Sequence, residues 1–295
     1  MSVHIRRVAM YVQCCSSLRC IFILVMLVAG INTAIMAGQM DPLVERISDS
    51  NGWINWERQV VKAKGVGVMP GDCESEAQAV LMARAAATAD AYRNLASTLH
   101  GVRVSGETYV RNFITESDEI RIKVEGLVRG AQIVSERQLS DRTYEVIMQA
   151  PLVGEKGLIA ELASKLLPEA KKSSAAEGGD FTGLIIDCRG LDVKPSMSPK
   201  VYDPDGLEVY GTLQVSPDYA IEVGIAAYPR TMEQALKSPR AGAHPLVVKA
   251  VGSGPKYKTD VVVSAADAQR IREADSRSGF LSQCKVCILI GQKGK

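Results

Sequence analysis

One stretch of this sequence limits the fold more than any other, a strand pattern that carries two glycines on one face. Residues 54–68 alternate between two faces with the period of a β-strand. Gly65 and Gly67 fall on the same face, and glycine inside a strand marks a close approach of another backbone. The chain is therefore predicted to pack something very thin against this end of the strand.

The segment that follows has the composition of a thin helix. After a break at Pro70-Gly71, residues 73–99 have helical spacing, with Asp72 as the predicted N-cap and Gly101 at the C-terminus. Seven alanines between residues 83 and 96 leave a helix that can lie flat on a sheet. The spacing assigns these residues to its buried face: Leu81, Ala85, Thr88, Tyr92, Leu95 and Leu99.

Further patterns complete a first domain over residues 54–167. In order, they are a strand over 102–110, a helix from residue 117, a hairpin of strands 131–139 and 143–152, and a helix over 154–167. This order predicts an α+β fold, in which helices pack on one face of an antiparallel-rich sheet. The polar residues 38–53 are predicted to be a loose lead-in.

A second domain is predicted after a linker. Residues 168–180 are rich in Ala, Ser and Gly and contain no large apolar side chain, which is typical of a linker. Residues 181–295 again alternate short strands and helices, and predict a second α+β domain with an antiparallel-rich sheet and helices on one face. The strand over 285–290 is apolar throughout and is predicted to be central.

The first 37 residues have the pattern of an export signal. Basic residues precede an apolar core from Ile21 to Ile31, and small residues follow up to Ala37. The 11 apolar residues of this core are too few for a bilayer span, which takes about 20 residues. Cleavage after Ala37 is predicted, with translation from Met10 as an alternative start. The mature protein is then expected in the periplasm or at the periphery of the outer membrane.

The charge of the mature chain is close to neutral. Removing the leader takes away Arg6, Arg7 and Arg19, and leaves 32 Lys and Arg against 33 Asp and Glu. A nucleic-acid-binding surface normally needs a basic face. Nucleic acid is therefore not an expected partner.

No motif of the mature chain predicts an enzyme, a cofactor or a metal site. His100 and His244 have no catalytic partner at motif spacing. Asp203-x-Asp205-Gly206 begins like a calcium loop, but apolar residues hold the next ligand positions, which favours a plain turn. The glycine pair at residues 65 and 67 lacks the third glycine of a dinucleotide-binding loop.

Cysteines form a small set after the leader is removed. An even number in an oxidising compartment permits two disulfides, and ordinary buried thiols are the alternative. The C-x-x-C pair lies in a β-branched apolar run, which favours a strand over a redox motif. The candidate disulfide cysteines are Cys73, Cys188, Cys284 and Cys287.

The first domain resembles a known family. Four segments resemble the twenty-kilodalton outer-membrane lipoprotein family. They are the run from Val61 to Gly67, the alanine-rich helix from Ala83 to Ala96, the strand over 102–110 and the hairpin from Gly130 to Val146. The same module is similar to the N-terminal part of flagellar assembly protein T and to flagellar outer-membrane protein P. Over residues 54–165, the resemblance implies a non-enzymatic envelope component, in some members part of the ring around the flagellum. Unlike the lipoproteins, this chain has no cysteine for acylation just after the apolar core, at the predicted cleavage point.

These observations favour a structural or assembly protein of the cell envelope, associated with the flagellum, that acts through protein–protein contacts and self-association. Contact with peptidoglycan or the outer membrane fits the same expectation. The alternative is a periplasmic binding module for cell-wall glycan or a small ligand, with its site between the two domains. Exposed aromatic and arginine residues are common interface anchors, and the candidate interface residues are Trp53, Trp56, Arg103, Glu107, Tyr109 and Arg111.

Overall fold

Strands and helices alternate through two parts of the chain. A computed structural model describes residues 43–47, 50–139, 141–167, 179–254 and 257–291. The predicted export signal and most of the predicted linker lie outside these residues. The first part contains β1 (Val44–Ile47), β2 (Gly52–Asn55), β3 (Val60–Val68), α1 (Glu76–His100), β4 (Arg103–Ser105), β5 (Thr108–Tyr109), α2 (Val110–Glu116), α3 (Asp118–Arg129), β6 (Gln132–Gln138), β7 (Thr143–Pro151) and α4 (Leu158–Leu166). The second part contains β8 (Gly183–Asp187), β9 (Val201–Tyr202), β10 (Glu208–Tyr210), α5 (Pro217–Val223), α6 (Met232–Lys237), β11 (Pro245–Ser253), β12 (Val261–Val263), α7 (Ala265–Ser278) and β13 (Val286–Leu289).

The two glycines of β3 lie directly under α1. A Cβ atom added to Gly65 would lie 2.1 Å from the carbonyl oxygen of Ala87. One added to Gly67 would lie 2.0 Å from the carbonyl oxygen of Ala83. Since non-bonded carbon contacts lie at about 3.5–4.0 Å, any side chain here would displace the helix. The prediction that these glycines mark a very close contact is confirmed.

The buried face of α1 differs from the predicted one. Leu81 is 65% exposed, because the narrow space over the glycines admits alanine and excludes larger side chains. The N-cap is Ser75 rather than Asp72, and its hydroxyl accepts a hydrogen bond from the backbone N–H of Gln78 at 3.2 Å. Gly101 ends the helix as predicted. The buried residues are Ala79, Ala83, Ala87, Ala91, Leu95, Thr98 and Leu99.

The first sheet has the order β1-β2-β3-β7-β6, and every neighbouring pair is antiparallel. Two expectations about its start were wrong. Residues 54–68 are not one strand, because the chain turns after Asn55 and β2 pairs back on β3. The turn includes Gln59 at a φ of +52°. The predicted lead-in contains β1, which adds a further strand to the edge.

The predicted strand over 102–110 is a short hairpin. β4 and β5 pair antiparallel around Gly106, which has a φ of +48°. Glycine takes this left-handed conformation without the steric penalty that other residues have. The chain therefore reverses at Gly106 and enters α2 at Val110.

The second sheet is mixed. Its order is β10-β9-β12-β11-β8-β13, and β8 is parallel to both of its neighbours, as β9 is to β12. This differs from the antiparallel sheet expected for this part, while the α+β class is confirmed. β13 lies at the end of the strand order and not at its centre. Its free edge is nevertheless covered, because Ala227 exchanges backbone hydrogen bonds of 3.0 and 2.9 Å with Val286 and Ile288.

Helices contact the second sheet on more than one face. Ala235 of α6 packs with Ile185 and Cys287, whereas Leu184 and Ile186 point into the main core. That core is continuous with the core of the first sheet, and the two parts pack as one compact unit. The first sheet keeps the arrangement with one helix-covered face that the sequence predicts.

Candidate functional site

A cleft of about 700 Å³ lies between the β4–β5 hairpin and the second sheet. The hairpin comes from the first part of the chain and the sheet from the second, so both parts form its walls. Val262 faces the cleft because its neighbours on β12, Val261 and Val263, are buried in the core on the other face. The cleft is lined by Ser105, Gly106, Glu107, Thr108, Lys200, Tyr202, Asp203, Pro204, Gly206, Val251, Gly252, Ser253, Tyr257, Asp260 and Val262.

Gly106 brings the hairpin close to the opposite wall. Its backbone N–H donates a hydrogen bond of 3.0 Å to the hydroxyl oxygen of Thr259. A Cβ atom at this position would lie 2.8 Å from the ring of Tyr257. Only glycine satisfies both the positive φ and this ring contact. The hairpin turn is therefore held in one place over the second sheet.

Arg103 fixes the base of the hairpin. It is only 8% exposed, and its Nη2 donates to Oε1 of Glu45 at 2.7 Å. Its Nη1 donates to the carbonyl oxygen of Pro195 at 2.9 Å. The prediction that Arg103 faces outward was wrong, because the hairpin turns this side chain between β1 and the second part of the chain.

Trp56 is also a structural residue. It is 2% exposed, and its ring makes an edge-to-face contact with Tyr228 at a centroid distance of 6.1 Å. Its Nε1 donates a hydrogen bond of 2.9 Å to Oε2 of Glu45. A buried indole needs such an acceptor. The expectation that Trp56 is an exposed anchor was therefore wrong, and it joins the two parts of the core.

The other predicted interface residues keep some exposure. Glu107 is exposed at the hairpin turn and lines the cleft. Arg111 is exposed, and its guanidinium lies 4.4 Å from the ring centroid of Tyr109, which is partly buried. Trp53 is partly buried on β2. Of the predicted set, the structure places Glu107 alone on the cleft wall.

Asp203 organises the turn at one end of the cleft. Its Oδ1 accepts hydrogen bonds from the backbone N–H groups of Asp205 at 3.2 Å and Leu207 at 2.9 Å. Its Oδ2 accepts from Arg272 at 2.9 Å. The hydrogen bond from Arg272 lowers the pKa of Asp203. The carboxylate is thus occupied by the protein itself, as a plain turn requires.

Asp260 and Lys200 provide the other charges on this wall. Asp260 is 8% exposed, and burial raises its pKa. The hydroxyl of Thr259 donates to Oδ1 of Asp260 at 3.1 Å while it accepts from the hairpin backbone. The ammonium of Lys200 lies 2.9 Å from Oε2 of Glu208, and this hydrogen bond raises the pKa of Lys200.

His100 and His244 do not line the cleft. His100 ends α1, and burial lowers its pKa. The backbone N–H of His244 donates to Oγ1 of Thr182 at 2.9 Å, which is a structural contact. In the residues with a described structure, no group of three or more His, Cys, Asp or Glu is arranged to hold a metal ion.

The four candidate disulfide cysteines are free thiols. Cys188 and Cys284 lie in the main core, Cys287 lies in the separate cluster under α6, and Cys73 lies near the start of α1. Burial raises the pKa of Cys188 to about 12 and that of Cys284 to about 11. Ordinary buried thiols, the second interpretation of the sequence, describe three of these four residues.

The sequence indicated few of the cleft residues. Tyr202, Tyr257, Lys200 and Asp260 carry no motif, and they come together only because β9 and β12 are neighbours. One signal was available, since the run Ser105-Gly106-Glu107 has the composition of a tight turn. A hairpin there would have placed Glu107 at a tip.

One family model matches the second part of the chain. The family model for the second domain of Treponema pallidum Tp0624 matches residues 183–292. The match begins at β8, ends just after β13, and includes one wall of the cleft but not the hairpin. No curated protein sequence matches this chain. No helix in the described parts of the chain has the length and apolar character of a membrane span.

Proposed function

We propose that this protein is an exported, non-enzymatic binding module of the cell envelope, which takes a small polar ligand in the cleft under the β4–β5 hairpin. The single observation that carries the proposal is the cleft itself, with walls from both parts of the chain. Its volume of about 700 Å³ falls within the range of small-molecule sites, roughly 300–1,000 Å³. The hairpin is held rigidly over it through Gly106 and Arg103.

The chemistry of the walls supports a ligand with both polar and apolar surfaces. Tyr202, Tyr257, Val251 and Val262 offer aromatic and aliphatic contact area, while nearby carboxyl and hydroxyl groups offer hydrogen bonds. A fragment of cell-wall glycan has this mixed character. The envelope location rests on the export-signal pattern of residues 1–37.

Retention on purified peptidoglycan tests the proposal. Gly252 lines the cleft, and a Cβ atom added to it would meet no other atom within 4 Å. Gly252→Leu should therefore fill the cleft without a clash, and Gly71→Leu is the matched control in open space outside it. We expect the wild type and the control to be retained and Gly252→Leu to be released. Equal behaviour of all three proteins contradicts the proposed site.

A second candidate function is assembly through β6. All seven residues of this edge strand are exposed, and in the described residues no strand pairs with its outer edge. Ile133 and Val134 are 40% and 44% exposed on it. Unpaired edge strands of this kind readily add a strand from another molecule. A second copy of this chain is the partner that the expected self-association implies.

Sedimentation velocity tests this candidate. Val134→Lys places a charge on the edge, which should lower the fraction of dimer. Ile122→Lys is the control, because it adds the same charge at an exposed apolar residue that belongs to α3 and not to β6. A monomer at every concentration would remove the candidate. Flagellar association rests on the family resemblance alone, and normal motility of a deletion strain would contradict it.

A further inference from the structure

The charges around the cleft do not balance. Lys200 is held by Glu208 at 2.9 Å, and Asp203 is held by Arg272 at 2.9 Å. The remaining lining carboxylates are Glu107 and Asp260. Neither of them lies within 4.0 Å of a Lys, Arg or His nitrogen in the described residues. The cleft therefore carries negative charge without an equal positive charge.

Asp260 is the stronger of the two groups for recognition. It is more than nine-tenths buried and yet lines the cleft. Thr259 donates to its Oδ1, and Thr259 is itself fixed by the hairpin N–H. The carboxylate is thus oriented before a ligand arrives, which lowers the entropy lost on binding. A buried carboxylate is stabilised by a cation that enters beside it.

The neighbouring wall is suited to a cation with a carbon skeleton. Tyr202 and Tyr257 place aromatic rings on the cleft, and ring faces attract ammonium groups. Val251 and Val262 add apolar surface beside them. A hydrated metal ion would gain little from such a wall, whereas an organic ammonium ion contacts all of it.

We infer that the cleft selects ligands that carry a primary ammonium group, which binds at Asp260 while the carbon skeleton lies against the tyrosine and valine side chains. This inference rests on the proposed binding function and names the ligand class for the same site. Two sources of the shared chemistry are an amino sugar with a free amine and the side chain of a diamino acid.

Acid should weaken the binding of such a ligand. Burial raises the pKa of Asp260, so it becomes protonated at a higher pH than an exposed carboxyl group. Of the charges near it, Lys200 lowers this pKa and Glu208 raises it, and the hydroxyl of Tyr202 lies on the same wall. The exposed Glu107 lines the same cleft on the hairpin. Affinity for an amine should fall as Asp260 takes up its proton.

Calorimetric titration of the purified protein tests the inference with pairs of probes that differ in charge. Glucosamine is compared with N-acetylglucosamine, and Nα-acetyllysine with Nα,Nε-diacetyllysine, at pH 7 and pH 4, so that the second member of each pair has no free amine. We expect at least one amine to bind about tenfold or more tightly than its acetylated partner, because hydrogen bonds to charged groups are the stronger ones. The pair that shows the difference identifies the source of the amine.

Two variants locate the effect. Asp260→Asn should lose about tenfold in affinity for the amine and become insensitive to pH, while Glu57→Gln, an exposed change elsewhere, should leave both unchanged. Thermal unfolding of each variant reports whether it is folded. Equal binding of an amine and its acetylated partner overturns the inference but leaves the binding function. Absence of binding by all four probes and by peptidoglycan overturns both.

Discussion

The two parts of this protein reach close packing by opposite means. In the first part, α1 meets β3 through alanine and glycine, so one backbone lies almost directly on another. In the second part, β8 and β13 fill the core with large side chains such as Leu184 and Ile288, which are fully buried. A substitution that adds atoms should therefore destabilise the first contact most, and a substitution that removes atoms should destabilise the second.

The same difference explains how the cleft is divided. The first part contributes a glycine-centred hairpin whose backbone can approach closely, and most of the charged and aromatic side chains come from the second. The hairpin backbone thus forms one wall of the cleft, and the side chains of the second part provide most of its polar and aromatic groups. The comparison leads to four tests, from the largest expected effect to the smallest.

The largest effect is expected where a backbone meets a backbone. Gly65→Ala would place a Cβ atom 2.1 Å from the Ala87 carbonyl oxygen, and the free energy of unfolding should fall by about 3 kcal/mol, as for severe overpacking. Gly71→Ala has no atom within 4 Å of the new methyl group and is the control. Urea denaturation measures both. Equal unfolding free energies of Gly65→Ala and Gly71→Ala would contradict the backbone contact described for the first part.

The next effect concerns a buried group in the second part. The hydroxyl of Tyr210 is fully buried and donates to the carbonyl oxygen of Ile225 at 2.5 Å. Tyr210→Phe leaves that carbonyl unsatisfied and should cost about 2 kcal/mol of unfolding free energy. Tyr219→Phe, at an exposed tyrosine of α5, should change stability little. A loss as large in Tyr219→Phe would contradict this account.

Two aspartates of the cleft should respond to pH in opposite directions. The Arg272 hydrogen bond lowers the pKa of Asp203 below its usual 3.8, so Asp203 stabilises the fold above that value and its contribution is lost in acid. Burial raises the pKa of Asp260 above 3.8, so its contribution is full below that value and is lost as the pH rises.

The corresponding asparagine variants separate these signs. At pH 7, Asp203→Asn should unfold at a lower temperature than the wild type, and Asp260→Asn at a higher one. Both differences should shrink toward pH 3. Thermal unfolding over this range measures both differences. A shift of the unfolding temperature with the same sign in both variants would contradict the opposite pKa shifts of Asp203 and Asp260.

The smallest effect is expected for Gly126, a glycine of the first part that lies outside the contact between α1 and β3. Gly126 lies on the exposed face of α3, and an added Cβ atom would meet nothing within 4 Å. Gly126→Ala should raise the unfolding free energy by about 1 kcal/mol, because alanine favours the helix over glycine. A lower unfolding free energy in urea denaturation would mean that added atoms destabilise the first part outside the contact between α1 and β3 as well.

Periodicity predicted most elements of this fold but not their pairing. Helix α3 and the strands of the β6–β7 hairpin fall close to their predicted ranges. The turn after Asn55 and the reversal at Gly106 were missed, since alternation continues through both places in the sequence. The orientation of α1 was also missed, because counting large residues favoured Leu81 over the alanines.

The candidate site was less predictable than the fold. Glu107 was expected on a surface, and the turn at Asp203 was recognised, but the tyrosines and Asp260 had no local signal. These residues are separated by about 150 positions of sequence between the hairpin and β12. Arg103 and Trp56 were expected outside and lie inside, because their partner Glu45 belongs to a strand that the sequence did not predict.

The sequence by itself determined that the glycines of β3 would hold a thin helix. A residue without a Cβ atom lets another backbone approach closely, and the helix that follows is rich in alanine. The sequence also determined the α+β class, because apolar periodicity follows directly from the geometry of each element. Only the tertiary structure decided which face of α1 is buried, that the second sheet is mixed, and that a hairpin and a distant strand enclose one cleft. Such contacts depend on which surfaces exclude water together, and this is a property of the whole packed chain.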